Sequence, residues 1–108
     1  MDGMIDLETL GVDNDSVILT LGAVKFNPYT DAEPHSGLYL HCSIEEQTDV
    51  LGRTVDDNTL EWWSKQDPKA QEEAFGDSTP RVSVEEMLSH LSKWCVALDF
   101  VWAQGVMF

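Results

Sequence analysis

The mostly apolar run of ten residues from Val17 to Phe26 is the feature that most limits how this chain can fold. Its Val, Ile, Leu and Phe side chains favour a β-strand, and few of its positions are polar enough to face water. A strand of this kind lies at the centre of a sheet and is covered on both faces. Gly22 within it indicates either a β-bulge or a close contact with a neighbouring element. The core of the protein is therefore predicted to form around a sheet.

One further strand is predicted on each side of this run in the sequence. Met4 to Gly11 is an apolar pattern that ends at a glycine, and Leu38 to Ile44 alternates apolar with polar side chains. The connecting segments Val12 to Ser16 and Asn27 to Asp31 contain the Asp, Asn and Pro residues typical of turns. Because short turns join antiparallel neighbours, these segments predict a three-stranded antiparallel meander.

The middle of the chain carries two short helix signals. Glu45 to Asp57 is polar and is predicted to be a loop. Asn58, with Glu61 three residues later, has the form of an N-cap, so a short helix is expected to begin there. A second short helix is predicted to begin at Asp67 and Pro68, with Asp as the N-cap, and to end at Gly76.

The clearest helix signal lies near the end of the chain. Ser83 to Glu86 forms a capping box, and an apolar stripe with helical spacing follows it. The stripe consists of Val84, Met87, Leu88, Leu91, Cys95 and Leu98. Phe100 to Phe108 is apolar again and predicts a fourth strand, which a helical crossover would place parallel to an earlier strand. The order β-β-β-α-α-α-β predicts a single α/β domain over residues 1–108, with helices packed on a mixed sheet.

Net charge and cysteine use restrict the classes of function. The formal net charge is −14, from 20 acidic and six basic residues, which opposes non-specific binding to nucleic acid and favours cations or a basic partner. Cys42 and Cys95 lie in apolar segments without metal-site spacing. Two free thiols in a cytoplasmic protein are the preferred interpretation, and a disulfide is the alternative. No apolar stretch approaches the roughly 20 residues of a membrane span, and no secretory signal is recognisable, so no membrane partner is expected.

Two acidic residues interrupt the apolar pattern of the first predicted strand. Asp6 and Glu8 are two positions apart, so a strand would direct both side chains from one face, about 7 Å apart. Like charges so placed are costly where the strand is partly buried, and a divalent metal ion would remove that cost. The alternative interpretation is an edge strand whose polar face simply meets water.

Four segments in order resemble the DEDD 3′–5′ exonucleases. The first is Asp6-Leu7-Glu8-Thr9 followed by Gly11, which is similar to the first motif of those enzymes. The others are similar to the phage and prophage branch, which includes exonuclease A, exonuclease VIII-like proteins and related exoribonucleases. They are Ile18 to Pro28, Thr59 to Gln66 followed by Ala70, and Val101 to Phe108. The resemblance covers nearly the whole chain and implies a ribonuclease H-like fold.

The resemblance also implies a site and a reaction. Asp6 would bridge two divalent ions, Mg²⁺ or Mn²⁺, and Glu8 would bind one of them, as in two-metal hydrolysis of a terminal phosphodiester. Thr9 and Leu10 would contact the 3′ nucleotide of DNA or RNA. Trp62 or Trp63 would stack on or flank a base. A place in the core is nevertheless the preferred interpretation for both tryptophans, and Trp63 shares a helix face with Leu60.

The same resemblance indicates that the domain is incomplete. In the family the third acidic residue directly follows a segment that corresponds to Gly105 to Phe108, where this sequence stops. The expectation is therefore an N-terminal part of an exonuclease, inactive or weakly active alone, that self-associates through an exposed fourth strand. The alternative, suggested by the charge, is a non-catalytic acidic binding module or nucleic-acid mimic.

Overall fold

The computed structural model describes residues 1–103, which form a five-stranded sheet with helices on both faces. The strands are β1 (Asp2–Thr9), β2 (Ile18–Phe26), β3 (His35–Cys42), β4 (Arg81–Val82) and β5 (Val101–Ala103). The helices are α1 (Ile44–Asp49), α2 (Asp57–Ser64), α3 (Pro68–Phe75) and α4 (Val84–Trp94).

The strand order is β4-β3-β2-β1-β5. The first three strands pair antiparallel in chain order, which confirms the predicted meander. β5 pairs parallel with β1 after the connection that contains α4, which confirms the predicted parallel fourth strand. The two-residue strand β4, which was not predicted, pairs parallel with β3. The result is a mixed α/β sheet compatible with a ribonuclease H-like fold, as the sequence predicts.

Adjacent residues of β3 show how the helices cover the two faces. His41 and Cys42 point to opposite sides because side chains alternate along a strand. His41 contacts α3 through Glu73, whereas the Cys42 sulfur lies 3.2 Å from the sulfur of Met87 in α4. One buried cluster therefore forms beneath α4, and a second forms where α2 and α3 meet the end of β1. The first comprises Leu21, Ala23, Cys42 and Met87, and the second comprises Leu10, Val17, Leu19, Trp63 and Ala74.

A β-bulge in β2 lets this strand serve both clusters. The pairing of β1 with β2 shifts between Glu8, which faces Thr20, and Thr9, which faces Ile18. Leu19 is the extra residue of the bulge, and it packs in the α2–α3 cluster while Ile18 packs against the α4 cluster. The bulge thus turns consecutive apolar side chains toward different helices.

Gly22 is not the position of this bulge, and the expectation of a bulge or close contact there is wrong. Gly22 pairs regularly with Asp6 on one side and Tyr39 on the other. A Cβ atom at Gly22 would meet no heavy atom within 4 Å. The prediction that β2 is buried on both faces is also wrong beyond Gly22, because the side chain of Val24 is exposed.

The predicted loop from 45 to 57 begins as a helix. Ser43 caps α1 by accepting a hydrogen bond from the Glu46 N–H. Sequence analysis missed this N-cap. The next helix, α2, begins earlier than predicted because Asp56, and not Asn58, is its N-cap. The Asp56 carboxylate accepts from the backbone N–H of Thr59 at 2.9 Å.

The later helices follow their sequence signals. Asp67 caps α3, whose C-cap is Gly76, and Ser83 caps α4, as predicted. The helix α4 ends at Trp94, before the end of the predicted apolar stripe, and a positive φ of 66° at Ala97 takes the chain out of helical geometry. Leu88, which was placed in that stripe, is in fact 53% exposed, because the buried face of α4 centres on Met87.

The predicted fourth strand is described only in part. Val101–Ala103 is β5, and the remainder of the predicted strand and of the fourth resemblance segment lies outside the described residues. Both cysteines are free, with Cys42 buried and Cys95 half-buried, as preferred from the sequence. In residues 1–103, no helix has the length and apolarity needed to cross a membrane.

Candidate active site

The centre of the candidate site is the acidic pair on β1. Asp6 pairs with Gly22 and Glu8 pairs with Thr20, and both carboxylates are exposed on the face of the sheet that carries His41. Partial burial and, secondarily, the negative charge of Asp6 raise the pKa of Glu8. The two carboxylates therefore repel one another, and a cation between them would remove that repulsion.

The end of β1, next to this pair, is held by hydrogen bonds within the protein. The Trp63 indole N–H donates to the Thr9 carbonyl at 3.2 Å, and the Thr9 hydroxyl donates to the Gly11 carbonyl at 2.8 Å. The Leu10 side chain is only 3% exposed, and its carbonyl accepts from the Asp56 N–H. Thr9 is thus fixed at the end of the strand that carries the acidic pair, and the side chain of Leu10 belongs to the core.

Gln47 is a structural residue of the site that sequence reasoning missed. Its side-chain amide accepts from the N–H of Ile18 and donates to the carbonyl of the same residue, both at 2.8 Å. The amide nitrogen also donates to the Ser43 carbonyl at 2.8 Å, and Gln47 is fully buried. This amide thereby satisfies the backbone of β2 at the bulge, opposite the acidic end of β1. Its place in a segment predicted to be a loop concealed it.

The two adjacent tryptophans of α2 have different environments. Trp63 is 7% exposed and makes edge-to-face contacts with Trp62 and Phe75, at centroid distances of 5.1 and 5.6 Å. Trp62 is 54% exposed and is therefore free to contact a ligand. The core position preferred for both tryptophans is confirmed for Trp63 and wrong for Trp62. A shallow apolar depression between α2 and α3 is lined by Leu60, Trp63, Ser64, Gln71 and Phe75.

Tyr39 and His41 on β3 share the face of the acidic pair and were not singled out by sequence reasoning. Their rings are stacked, with centroids 5.0 Å apart and planes inclined by 9°. The His41 Nε2 atom donates to the Glu73 backbone carbonyl at 3.0 Å, and the Glu73 carboxylate lies 3.4 Å from the same nitrogen. The alternation of polar residues in this strand shows that Tyr39 and His41 share a face, but not that the face is that of Asp6.

The donors present fit part of a site for a hard cation. Carboxylate oxygens are the ligands that Mg²⁺ and Mn²⁺ prefer, and the mutual repulsion of Asp6 and Glu8 favours a shared ion. Among residues 1–103, no group of three or more His, Cys, Asp or Glu side chains is arranged to hold a metal ion. Residues 1–103 thus bring together two carboxylates, those of Asp6 and Glu8, that could bind such an ion.

Most basic side chains already have partners within the fold. Arg53 donates to the carbonyls of Asn14 and Ser16, and Arg81 donates to four carbonyls around β3 and α3. Lys25 lies over the ring of Trp94 at 5.3 Å from its centroid. These side chains act in the structure of the protein, so the described residues offer little cationic surface for a nucleic-acid backbone.

Comparison with known protein families identifies the family of this chain. A family model described as the 3′-5′ exoribonuclease Rv2179c-like domain matches residues 1–108, the whole sequence. The chain belongs to the Rv2179c-like family. Membership makes it a nuclease-family domain whose expected substrate is nucleic acid, in agreement with the 3′–5′ exonuclease resemblance of its motifs. A search among curated proteins found no match.

Proposed function

We propose that this Rv2179c-like domain is a metal-dependent 3′–5′ exonuclease of the DEDD type, with RNA as the preferred substrate. The observation that carries the proposal is the pair Asp6 and Glu8, exposed together on one sheet face in a chain of an exoribonuclease family. The raised pKa of Glu8 supports it: burial is the larger cause and the charge of Asp6 the smaller one, and a divalent ion beside the pair would offset both. The similarity of other segments to phage and prophage exonucleases supports the same lineage.

In this proposal each residue of the site has a separate role. Asp6 and Glu8 would hold the divalent ions, as the resemblance implies. A bound Mg²⁺ or Mn²⁺ supplies Lewis-acid stabilisation of the phosphate and a water molecule of lowered pKa, the chemistry that phosphodiester hydrolysis needs. Thr9, which follows Glu8 in the chain, would contact the terminal nucleotide, as the resemblance implies. Trp62, which is half exposed, flanks a base, and Leu10 supports the site from the core.

The same geometry limits the activity expected of residues 1–103. Only two carboxylates come together there, and no third His, Cys, Asp or Glu joins them. We therefore propose that the chain alone binds the ions weakly and hydrolyses RNA slowly or not at all. A cytoplasmic location is part of the proposal, consistent with free thiols at Cys42 and Cys95.

Paramagnetic NMR provides the test of the metal site. Mn²⁺ titrated into the ¹⁵N-labelled chain should broaden the signals around Asp6 and Glu8 first, and Asp6→Asn should abolish this selectivity. Glu85→Gln, which changes an exposed acid in the first turn of α4, serves as the matched control and should leave the pattern unchanged. Broadening that is equal at Glu85 and at the acidic pair would refute the site.

Hydrolysis is tested separately with 5′-labelled single-stranded RNA and DNA of one sequence. Shortening from the 3′ end that needs Mg²⁺ or Mn²⁺ and is lost in Asp6→Asn supports the proposal, and faster digestion of RNA supports the substrate preference. Cleavage that survives Asp6→Asn would refute the assignment of the catalytic acids.

A non-catalytic acidic binding module is the second candidate, and the net charge of −14 favours it. Such a module would bind a basic protein surface through charges spread over loops and helix starts. It predicts diffuse Mn²⁺ broadening along the acidic segments, so the NMR titration separates the two candidates.

A further inference from the structure

Tyr39 is an exposed aromatic residue in the same row of the sheet as Asp6. Asp6 pairs with Gly22, and Gly22 pairs with Tyr39, so one residue without a side chain separates the carboxylate from the ring. Adjacent strands are about 4.8 Å apart, which places the Cα atoms of Asp6 and Tyr39 roughly 10 Å from one another. The ring is 54% exposed, although the established fold provides no reason for an exposed aromatic side chain there.

The ring of Tyr39 is held in a fixed plane by its neighbour. One of its faces is stacked on His41, which is 6% exposed and is anchored by its hydrogen bond to the Glu73 carbonyl. Burial, followed by the carboxylate of Glu73, raises the pKa of Tyr39, so the phenol stays neutral at physiological pH. A rigid, neutral ring with one free face is a surface on which a planar group can stack without loss of side-chain entropy.

Glycines leave the other face of this ring uncovered. Gly22 is beside Tyr39 on β2, and Gly37 lies two residues before Tyr39, where the pairing of β3 with β2 shifts register. A Cβ atom at Gly22 would meet nothing within 4 Å, and one at Gly37 would meet only the Ala23 carbonyl, at 3.8 Å. Because a β-strand generally disfavours glycine, the regularly paired Gly22 beside one exposed ring points to a requirement for open space.

We propose that Tyr39 is the stacking platform for the nucleobase of the nucleotide whose phosphate lies at Asp6 and Glu8. The nucleotide would cross the sheet above Gly22, with its base against the free face of the ring. This inference rests on the proposed function, and it adds a substrate-binding residue that the motifs do not contain. Stacking needs no positive charge, so it gives a chain of net charge −14 a means to bind nucleotides. Every base has a π-face, so the platform would bind nucleotides with little sequence preference.

The test compares two small probes, adenosine 5′-monophosphate and ribose 5-phosphate, each with Mg²⁺. Adenosine 5′-monophosphate should shift the ring protons of Tyr39 upfield in NMR spectra. It should also bind at least tenfold more tightly than ribose 5-phosphate, which has no base. Tyr39→Leu should weaken binding of adenosine 5′-monophosphate about tenfold, within the range expected for one lost stacking contact. Tyr39→Phe should keep the affinity, because it keeps the ring.

Two further variants separate stacking from general damage to the fold. Tyr29→Leu is the matched control, since Tyr29 is 91% exposed in the turn after β2, and it should leave binding unchanged. Gly22→Val adds a side chain to open space in a strand, so it should leave the thermal midpoint equal or higher while it weakens nucleotide binding. Circular dichroism spectra that match the parent chain establish that each variant is folded.

The outcomes distinguish this inference from the proposed function. Equal affinity of the parent chain and Tyr39→Leu for adenosine 5′-monophosphate would overturn the platform, as would equal affinity of the parent for the two probes or no measurable binding of either. If selective Mn²⁺ broadening at Asp6 and Glu8 persists in those cases, the metal site stands without the platform. Loss of that selectivity in the parent chain would overturn the proposed function itself.

Discussion

Replacing Glu8 by Gln should change stability and metal binding in opposite directions. The substitution preserves the shape of the side chain and removes one of the two like charges at Asp6 and Glu8. The raised pKa of Glu8 means that ionisation of this carboxyl opposes folding. For the metal-free protein, folding stability related to Glu8 is fully present below its ordinary pKa and is lost as pH rises through the raised value. Glu8→Gln should remove that loss at neutral pH.

The size of the effect follows from the strand geometry. Side chains two residues apart in a strand are about 7 Å from one another. At that distance two unit charges repel by about 0.6 kcal/mol with the dielectric constant of water, and by about 1.2 kcal/mol if the protein halves the screening. Both side chains are exposed, so the lower figure applies, and salt reduces it further. Glu8→Gln should therefore stabilise the metal-free chain by about 0.5 kcal/mol.

The metal-bound protein should behave in the opposite way. A ligand that binds only the folded state at ten times its Kd stabilises it by about 1.4 kcal/mol. Mn²⁺ should thus stabilise the parent chain, and Glu8→Gln should lose most of this gain because one of two carboxylate ligands is gone. Urea denaturation at pH 7, with chelator or with Mn²⁺, measures both quantities.

A surface acid with an opposite partner provides the control. Glu61 is 3.2 Å from the Lys65 ammonium, so Glu61→Gln should destabilise the chain by about 0.4 kcal/mol and leave the Mn²⁺ effect intact. Destabilisation of the metal-free chain by Glu8→Gln would contradict the repulsion between Asp6 and Glu8. Equal stabilisation of this variant and of the parent by Mn²⁺ would contradict Glu8 as a metal ligand.

Four other predictions follow from the structure. Mn²⁺ affinity should rise with pH through the raised pKa of Glu8, because the ion binds the ionised carboxylate; calorimetry across this range would show no trend if Glu8 is not a ligand. Gln47→Ala should lower the free energy of unfolding in urea by about 3 kcal/mol, since buried backbone groups lose their partners. A thiol reagent should modify Cys95 well before Cys42, whose pKa burial raises to about 11; equal rates would contradict this. Sedimentation should show concentration-dependent self-association that Val101→Lys weakens, because Val101 is half exposed on a strand that forms an edge of the described sheet.

The parts of the fold that local chemistry determines could be predicted from the sequence. Alternating and continuous apolar runs gave the strands of the meander, and the caps at Asp67 and Ser83 located two helices correctly. The helix α1 escaped prediction because its single buried residue is the polar Gln47, so it has no apolar stripe. The N-cap of α2 was misplaced because Asp56 and Asn58 are both good capping residues, and only the geometry of the Thr59 N–H decides between them.

In the candidate site, too, local relations could be predicted from the sequence and relations between strands could not. Asp6 and Glu8 could be found because the spacing that joins them lies within one strand. The position of Tyr39 beside Asp6 depends on how β1, β2 and β3 pair. The register of β1 with β2 depends in turn on the bulge at Leu19, which no local sequence pattern predicts.

The bulge also links stability to the site. A shift of one residue in the pairing of β1 with β2 would move Asp6 and Glu8 to the opposite face of the sheet relative to Tyr39. Gln47 holds Ile18 at this point through both of its backbone groups, and Trp63 holds Thr9 on the facing strand. Through these backbone hydrogen bonds the two buried side chains help to keep the acidic pair and the ring on one surface. The site therefore depends on the core as much as on the acidic residues themselves.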